Sequence, residues 1–164
     1  MGVNEITGDS LVSKKSSDAY REGYDRIFGK KVKEYKLSDS IILRNSAKCL
    51  SCGDTIESTH RHDYVTCSCG NLSVDGGKAY IKRMYNSSYE DTSIQSDDLN
   101  VIREYFTWGT YGPNGDQPKY YIKLKDMTTE HIEAILETQQ HIKGTYVEEV
   151  LKLELQYRKD NYET

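Results

Sequence analysis

The sequence predicts an α+β fold, and three observations lead to that prediction. Apolar residues recur at helical spacing near the start of the chain and again over its last third, whereas short β-type runs separated by Gly-rich turns lie between. Four cysteines fall in two close pairs in the middle. The 164 residues, of which 36% are hydrophobic, suffice for one modest core, or for one core plus a small insert.

The first third contains one predicted helix. Residues 1–17 lack periodicity and are predicted to be a flexible tail. Residues 18–45 form the predicted N-terminal helix and linker strand. The helix starts at Asp18 and stops near Gly29, and the strand is the β-branched run 41–43. One helix face carries Tyr20, Tyr24, Ile27 and Phe28.

Four lysines follow this helix, and they have two interpretations. A solvated linker is favoured over a contact to phosphate or to an acidic partner. The residues concerned are Lys30, Lys31, Lys33 and Lys36.

The middle of the chain alternates between turn signals and short apolar runs. Residues 46–77 hold the cysteines and end at the Gly76–Gly77 turn, and residues 79–85 fit a strand or a short helix. Residues 86–98 are rich in Ser, Asp and Asn, which favours a loop. Residues 101–108 and 120–124 then read as two strands of a β-hairpin, because the Gly-rich segment between them suits a long turn.

Two helices are predicted to close the chain as a helical hairpin. Thr128 can cap the first helix, whose apolar stripe is Ile132, Ile135 and Leu136. Gly144 separates it from the second helix, which covers about 145–158. Residues 78–164 are therefore predicted to combine the β-hairpin with this C-terminal helical hairpin.

The net charge and the hydropathy of the sequence limit the classes of protein to which it can belong. The net charge of −4 argues against a protein whose main task is non-specific nucleic-acid binding. No secretory leader and no apolar run of membrane-spanning length is present, so a cytoplasmic location is expected. In that compartment thiols stay reduced, and clustered cysteines indicate metal rather than disulfides.

The cysteines form the most specific pattern in the sequence. Two residues separate Cys49 from Cys52, and one residue separates Cys67 from Cys69; each pair is followed by Gly. Two such pairs, joined by a hairpin-length segment, can hold one tetrahedral ion. Residues 46–77 are therefore predicted to be a zinc ribbon with Zn²⁺ on these four thiolates, because thiolates in this geometry suit zinc.

Other interpretations of the cysteines stay open. His60 or His62, which lie between the two pairs, could replace Cys67 or Cys69 as a ligand, or could be exposed at a hairpin tip. An iron–sulfur centre and a redox dithiol at Cys49 and Cys52 are less favoured. A catalytic metal would need an open position, which four thiolates do not leave.

A basic and aromatic cluster follows the cysteine region. Its members are Lys78, Tyr80, Lys82 and Arg83. They could stack on bases and contact phosphates. The alternative is an ordinary edge strand in which lysines oppose aggregation.

Segments of the chain resemble known proteins. Cys49-x-x-Cys52-Gly, Cys67-x-Cys69-Gly and Asp75-Gly76-Gly77 lie within residues 48–83, which resemble an uncharacterised zinc-ribbon family of bacteriophages, prophages and bacterial accessory genes. Residues 20–31 and 108–142 are similar to segments of short phage proteins. The resemblance implies a phage or mobile-element origin and brings no catalytic residue.

These observations together predict a small non-enzymatic accessory protein. It is expected to bind a host or phage macromolecule, most simply a protein, for host takeover or counter-defence. A nucleic-acid-binding ribbon in transcription or replication is the first alternative, and a metal-dependent enzyme using His62 is the second. The sequence names neither the partner, nor the pathway, nor the oligomeric state.

Overall fold

The computed structural model describes residues 17–28 and 33–162, except for the side chains of 24–28. Helix α1 spans Asp18–Phe28, which confirms the predicted helix. The predicted tail over residues 1–16, the stop at Gly29 and the lysines at 30 and 31 lie outside the described residues. The chain divides into two compact units after Lys33, and the second unit contains all four cysteines.

Strand β1, Lys36–Cys49, is the longest strand and organises the second unit. It pairs antiparallel with β2 (Thr55–Ser58), β6 (Tyr89–Asp91) and β7 (Ile94–Asp98). Its first half lies along β7, and its last residues lie between β2 and β6. The run predicted as a short strand at 41–43 is the middle of this element, in which Leu43 is buried.

Two smaller antiparallel sheets complete the β-structure of the described residues. The first has the order β3 (Val65–Thr66), β4 (Leu72–Asp75), β5 (Lys82–Tyr85). The second is a hairpin of β8 (Thr107–Thr110) and β9 (Tyr120–Lys123), which agrees with the predicted hairpin in its second strand but not in the start of its first. The segment 79–85 is thus a strand in its second half.

Three helices follow β7 in the second unit. They are α2 (Leu99–Tyr105), α3 (Thr129–Thr138) and α4 (Tyr146–Tyr162), with 3-10 turns at Leu124–Asp126 and Gln140–Ile142. Thr128 caps α3 as predicted, because its hydroxyl accepts a hydrogen bond from the His131 N–H. Along the described parts of the chain, no helix has the length and apolarity that crossing a membrane requires.

Two predictions for the middle of the chain are wrong. The supposed loop 86–98 contains β6 and β7, and the supposed strand 101–108 is mostly α2. The N-terminus of α2 is fixed by Asp98, whose carboxylate accepts the N–H of Asn100 at 2.8 Å. Leu99 and Ile102, three residues apart, are both buried. The segment therefore follows the helical spacing of its buried residues, not the alternating pattern that predicted a strand.

The buried residues form two clusters. The main core joins the first half of β1 to the three helices; its members are Tyr35, Leu37, Leu43, Leu99, Ile102, Phe106, Leu124, Met127, Ile132, Ile135, Ile142, Val150 and Leu151. The ribbon core is much smaller; its members are Ala47, Cys49, Cys67, Leu72 and Val74. The cysteines therefore belong to a separate, thin packing layer.

Candidate metal centre

The first cysteine turn connects β1 to β2. Gly53 follows Cys52 with a φ of 81°, a left-handed conformation that glycine adopts without steric cost. Its N–H donates to the Cys49 carbonyl at 2.9 Å, and the Cys49 N–H donates to the Asp54 carbonyl at 2.8 Å. These bonds fold the chain so that both thiols of the turn face the same point.

The second cysteine turn connects β3 to β4 and repeats this design. Gly70 has a φ of 76°, and its N–H donates to the Cys67 carbonyl at 3.0 Å. The Leu72 N–H donates to Cys67 Sγ at 3.3 Å. A backbone donor aimed at a sulfur is the arrangement that stabilises a thiolate ligand.

The two turns bring all four sulfur atoms together. The Sγ atoms of Cys49, Cys52, Cys67 and Cys69 lie within 4.8 Å of one another. Cys69 Sγ is 3.7 Å from Cys49 Sγ and 3.6 Å from Cys67 Sγ. A tetrahedron with Zn–S bonds of about 2.3 Å has edges of about 3.8 Å, so these separations fit a tetrahedral metal site. The cluster therefore suggests a structural metal site, and zinc fits its donor set.

Asp54 ties the two turns to each other. Its Oδ2 atom accepts the backbone N–H of Ser68 at 2.7 Å. Hydrogen bonds from the hydroxyl and the N–H of Ser68 lower the pKa of Asp54, so this carboxylate is charged at neutral pH. The link holds the turns in register beside the sulfur atoms.

Hydrogen bonds favour the thiolate form of three of the cysteines in the metal-free chain. The backbone N–H of Cys52 lowers the pKa of Cys49, and the backbone N–H of Asp54 lowers the pKa of Cys52. Burial raises the pKa of Cys67, but the Leu72 N–H and neighbouring thiols outweigh it and lower this pKa. A metal cation needs such deprotonated thiols.

The fourth thiol behaves differently. The backbone N–H of Asn71 lowers the pKa of Cys69, but burial and the three neighbouring thiols outweigh that effect and raise this pKa to about 12. Four negative sulfur atoms at this spacing repel one another, and without a cation one of them keeps its proton.

Neither histidine belongs to the cluster, which corrects their assignment as alternative ligands. Both lie between β2 and β3 and are exposed. His60 Nδ1 is 3.5 Å from an Asp63 carboxylate oxygen, and His62 Nδ1 is 3.1 Å from the Tyr80 hydroxyl. Among the described residues, the metal-ligand cluster consists of cysteines alone.

The predicted nucleic-acid cluster is not one uniform surface. The side chain of Arg83 is only 6% exposed and is 3.2 Å from an Asp91 carboxylate oxygen. It also donates to Asn45 Oδ1 and to Ser93 Oγ, each at 2.6 Å. The Arg83 guanidinium group is therefore bound by neighbouring side chains of the fold and is not available on the surface. A nucleic-acid contact stays a prediction for the other three residues of the cluster.

Sequence reasoning missed the polar clamp around Asn45. The Asn45 amide donates to the carbonyls of Asp75, Gly77 and Tyr80, each at 3.0 Å, while its Oδ1 accepts from Arg83. This side chain, 1% exposed, joins β1 to the segment after β4. Nothing in the local sequence marks Asn45, since its partners lie at least 30 positions away.

The fold and the centre define an α+β protein with a four-cysteine cluster that could hold a metal ion, built on small antiparallel sheets. Residues 41–85 match a family described as a domain of unknown function (DUF7695). The match contains all four cysteines and overlaps the segment that resembles an uncharacterised ribbon family. No curated protein and no solved structure matches the chain. A phage origin gains no support from these comparisons and stays a prediction.

Proposed function

We propose that this chain is a small non-enzymatic binding protein in which Cys49, Cys52, Cys67 and Cys69 hold one structural Zn²⁺. The observation that carries the proposal is the convergence of the four sulfur atoms to within 4.8 Å of one another. Two turns that are far apart in sequence supply two ligands each, so the ion would join β1 to β3 and β4.

The donor set supports a structural role over a catalytic one. Four thiolates complete a tetrahedral coordination and leave no position for substrate or water. Within residues 17–28 and 33–162, no histidine or carboxylate joins the cluster to act as a displaceable ligand. The chemistry expected of this centre is therefore to hold strands together.

The surface next to the centre supports a binding role. Strand β5 is an edge strand, and its Met84 and Tyr85 are 54% and 58% exposed. The Tyr64 hydroxyl donates to Met84 Sδ at 3.5 Å, and the Tyr85 and Tyr89 rings are 4.8 Å apart. Exposed aromatic and Met side chains are enriched in the contacts of protein interfaces. A protein partner is the candidate that this surface favours.

Metal content and thiol reactivity test the centre. Protein purified without added chelator is expected to contain about one zinc per chain, and its four thiols should react only after chelation. Iron in place of zinc, with visible absorbance, would replace the zinc assignment by an iron–sulfur one. Metal-free protein with four freely reactive thiols would end the proposal.

A pair of surface variants tests the binding role. Zinc-loaded wild-type protein is immobilised and exposed to a bacterial lysate, beside the double variant Met84→Ser, Tyr85→Ser. A control replaces Tyr111, which is 54% exposed between β8 and β9, by Ser. A partner captured by wild type and control but not by the double variant supports the proposed surface. Turnover of a substrate by the zinc protein, with equal capture by all three, would overturn it.

A further inference from the structure

A buried ionic cluster lies outside the metal centre, between α2 and α4. The Glu154 side chain is fully buried; its Oε2 is 3.0 Å from Arg103 Nε, and its Oε1 is 2.8 Å from Arg158 Nε. The two arginine side chains are only 18% and 12% exposed. One carboxylate thus faces two guanidinium groups, which leaves an excess positive charge in a largely buried position.

Both guanidinium groups are held in place by further contacts. Arg103 stacks over the Tyr157 ring, with Cζ 4.5 Å from the ring centroid. Arg158 donates from Nη1 to the Thr129 hydroxyl at 3.4 Å and from Nη2 to the Leu124 carbonyl at 3.2 Å. Such fixed guanidinium groups lose little conformational entropy when they bind an anion.

A cavity of about 330 Å³ opens beside these groups. It is lined by Arg103, Lys125, Thr129, Arg158 and Tyr162. Every charged residue of this lining is basic, although the whole chain carries a net charge of −4. Thr129 is the first residue of α3, where backbone N–H groups without helical partners favour negative charge.

Nearby carboxylates do not cancel this charge completely. Glu104 accepts two hydrogen bonds from Lys125 Nζ, at 2.7 and 2.9 Å, and it does not line the cavity. Glu130, in the first turn of α3, is exposed. A hydrogen bond from Tyr157 and another from Arg103 lower the pKa of Tyr162, which is consistent with a positive potential at the cavity.

We propose that this cavity binds the phosphate group of a small phosphate monoester. Two guanidinium groups, one ammonium group, a threonine hydroxyl and a helix N-terminus offer more donors, and more positive charge, than the carboxylates of Glu154 and Glu104 use. A phosphate dianion has enough acceptor oxygen atoms for these donors, and it neutralises the positive charge that Glu154 does not balance. Tyr162, which lines the cavity and is 64% exposed, would contact the rest of the ligand.

The experiment is an NMR titration of the zinc-loaded full chain with inorganic phosphate at constant ionic strength. The Nε–H signals of Arg103 and Arg158 and the amide of Thr129 are expected to shift to saturation. Lys125→Gln should weaken binding about tenfold, the usual effect of losing one charge-assisted hydrogen bond. Lys123→Gln is the matched control, since Lys123 also pairs with Glu104, at 3.8 Å, but does not line the cavity.

The control should bind phosphate within about twofold of wild type, because its ion pair is a weak surface pair. Absence of a saturable shift at these signals would overturn the proposal. Equal weakening by both variants would overturn it as well, since the effect would then reflect overall charge. Acetate is titrated in parallel. Saturation of the same signals by acetate with equal affinity would overturn the assignment to phosphate.

Discussion

The main core and the ribbon core differ in how much buried apolar surface stabilises them. The main core contains thirteen buried residues, among them nine Leu or Ile side chains on β1, the helices and the two 3-10 turns. The ribbon core contains five, of which two are cysteines. A cluster of this size buries too little apolar area to offset the conformational entropy of its loops. On the proposed metal site, we therefore expect the ribbon region to depend on an ion and the helical region to fold without one.

Strand β1 is what joins these two regions. Leu37 and Leu43, in its first part, belong to the main core, whereas Ala47 and Cys49, at its end, belong to the ribbon core. The helices therefore hold one end of a strand whose other end carries Cys49, one of the four proposed metal ligands. This arrangement would pre-position Cys49 before an ion binds and so reduce the ordering that the metal has to enforce.

The largest expected effect is that of Cys67→Ser, which should unfold the ribbon region and leave the helical region folded. Cys67→Ser removes one ligand, and an apparent zinc-binding free energy on the order of 10 kcal/mol should be largely lost. Amide signals of residues 49–85 should collapse toward disordered positions, while those of α3 and α4 stay dispersed. The control is Ser51→Ala, an exposed position within the first cysteine turn. Unchanged dispersion of residues 49–85 in zinc-free Cys67→Ser would contradict the comparison.

The reverse experiment weakens the main core alone. Leu151 is fully buried, and Leu151→Ala should lower the free energy of unfolding by about 2–5 kcal/mol through lost burial and a residual cavity. Zinc content should stay the same. Leu50→Ala makes the same chemical change at a side chain that is 57% exposed, and it should cost less than about 0.5 kcal/mol. Denaturant unfolding with metal analysis measures both; zinc lost from Leu151→Ala would show that the regions are coupled.

A smaller effect is expected at Gly77, where the backbone passes close to the β2–β3 connection. Gly77 has a φ of 52°, and an added Cβ would lie 2.5 Å from the His60 carbonyl carbon. Gly115 also has a positive φ, 70°, but open space around it. Gly77→Ala should therefore destabilise the protein by more than Gly115→Ala, for which backbone strain alone costs about 1–2 kcal/mol. Equal losses in thermal unfolding would mean that the close approach is relaxed without cost.

The parts of the fold that could be predicted from the sequence are those whose sequence signals lie within a few residues. The clustering of the four cysteines was predictable because closely spaced Cys followed by Gly describes a complete turn. Helices α3 and α4 were predictable because their apolar spacing and the Thr128 cap lie within a few residues. The α2 helix was missed because an alternating pattern concealed the buried pair Leu99 and Ile102. The roles of Arg83 and Glu154 could not be predicted, since their partners come from distant segments.

The smallest expected effect concerns acid, to which the two regions should respond through different groups. Hydrogen bonds from Lys125 lower the pKa of Glu104, an exposed pair beside the main core. The unfolded chain binds a proton near pH 4.3, and the folded chain binds it only at lower pH. The pair therefore stabilises the fold above that value and stops doing so as the pH falls through the folded pKa.

Glu104→Gln removes this contribution, so its stability deficit relative to wild type should be present at pH 7 and should shrink as the pH falls toward 3. The measurement is urea unfolding followed by α-helical signal in phosphate-free buffer, so that the cavity beside Lys125 stays out of the comparison. The ribbon region should already lose its ion in that acid range, because protons compete with metal for the thiolates. Equal deficits at both pH values would mean that Glu104 acts through packing rather than charge.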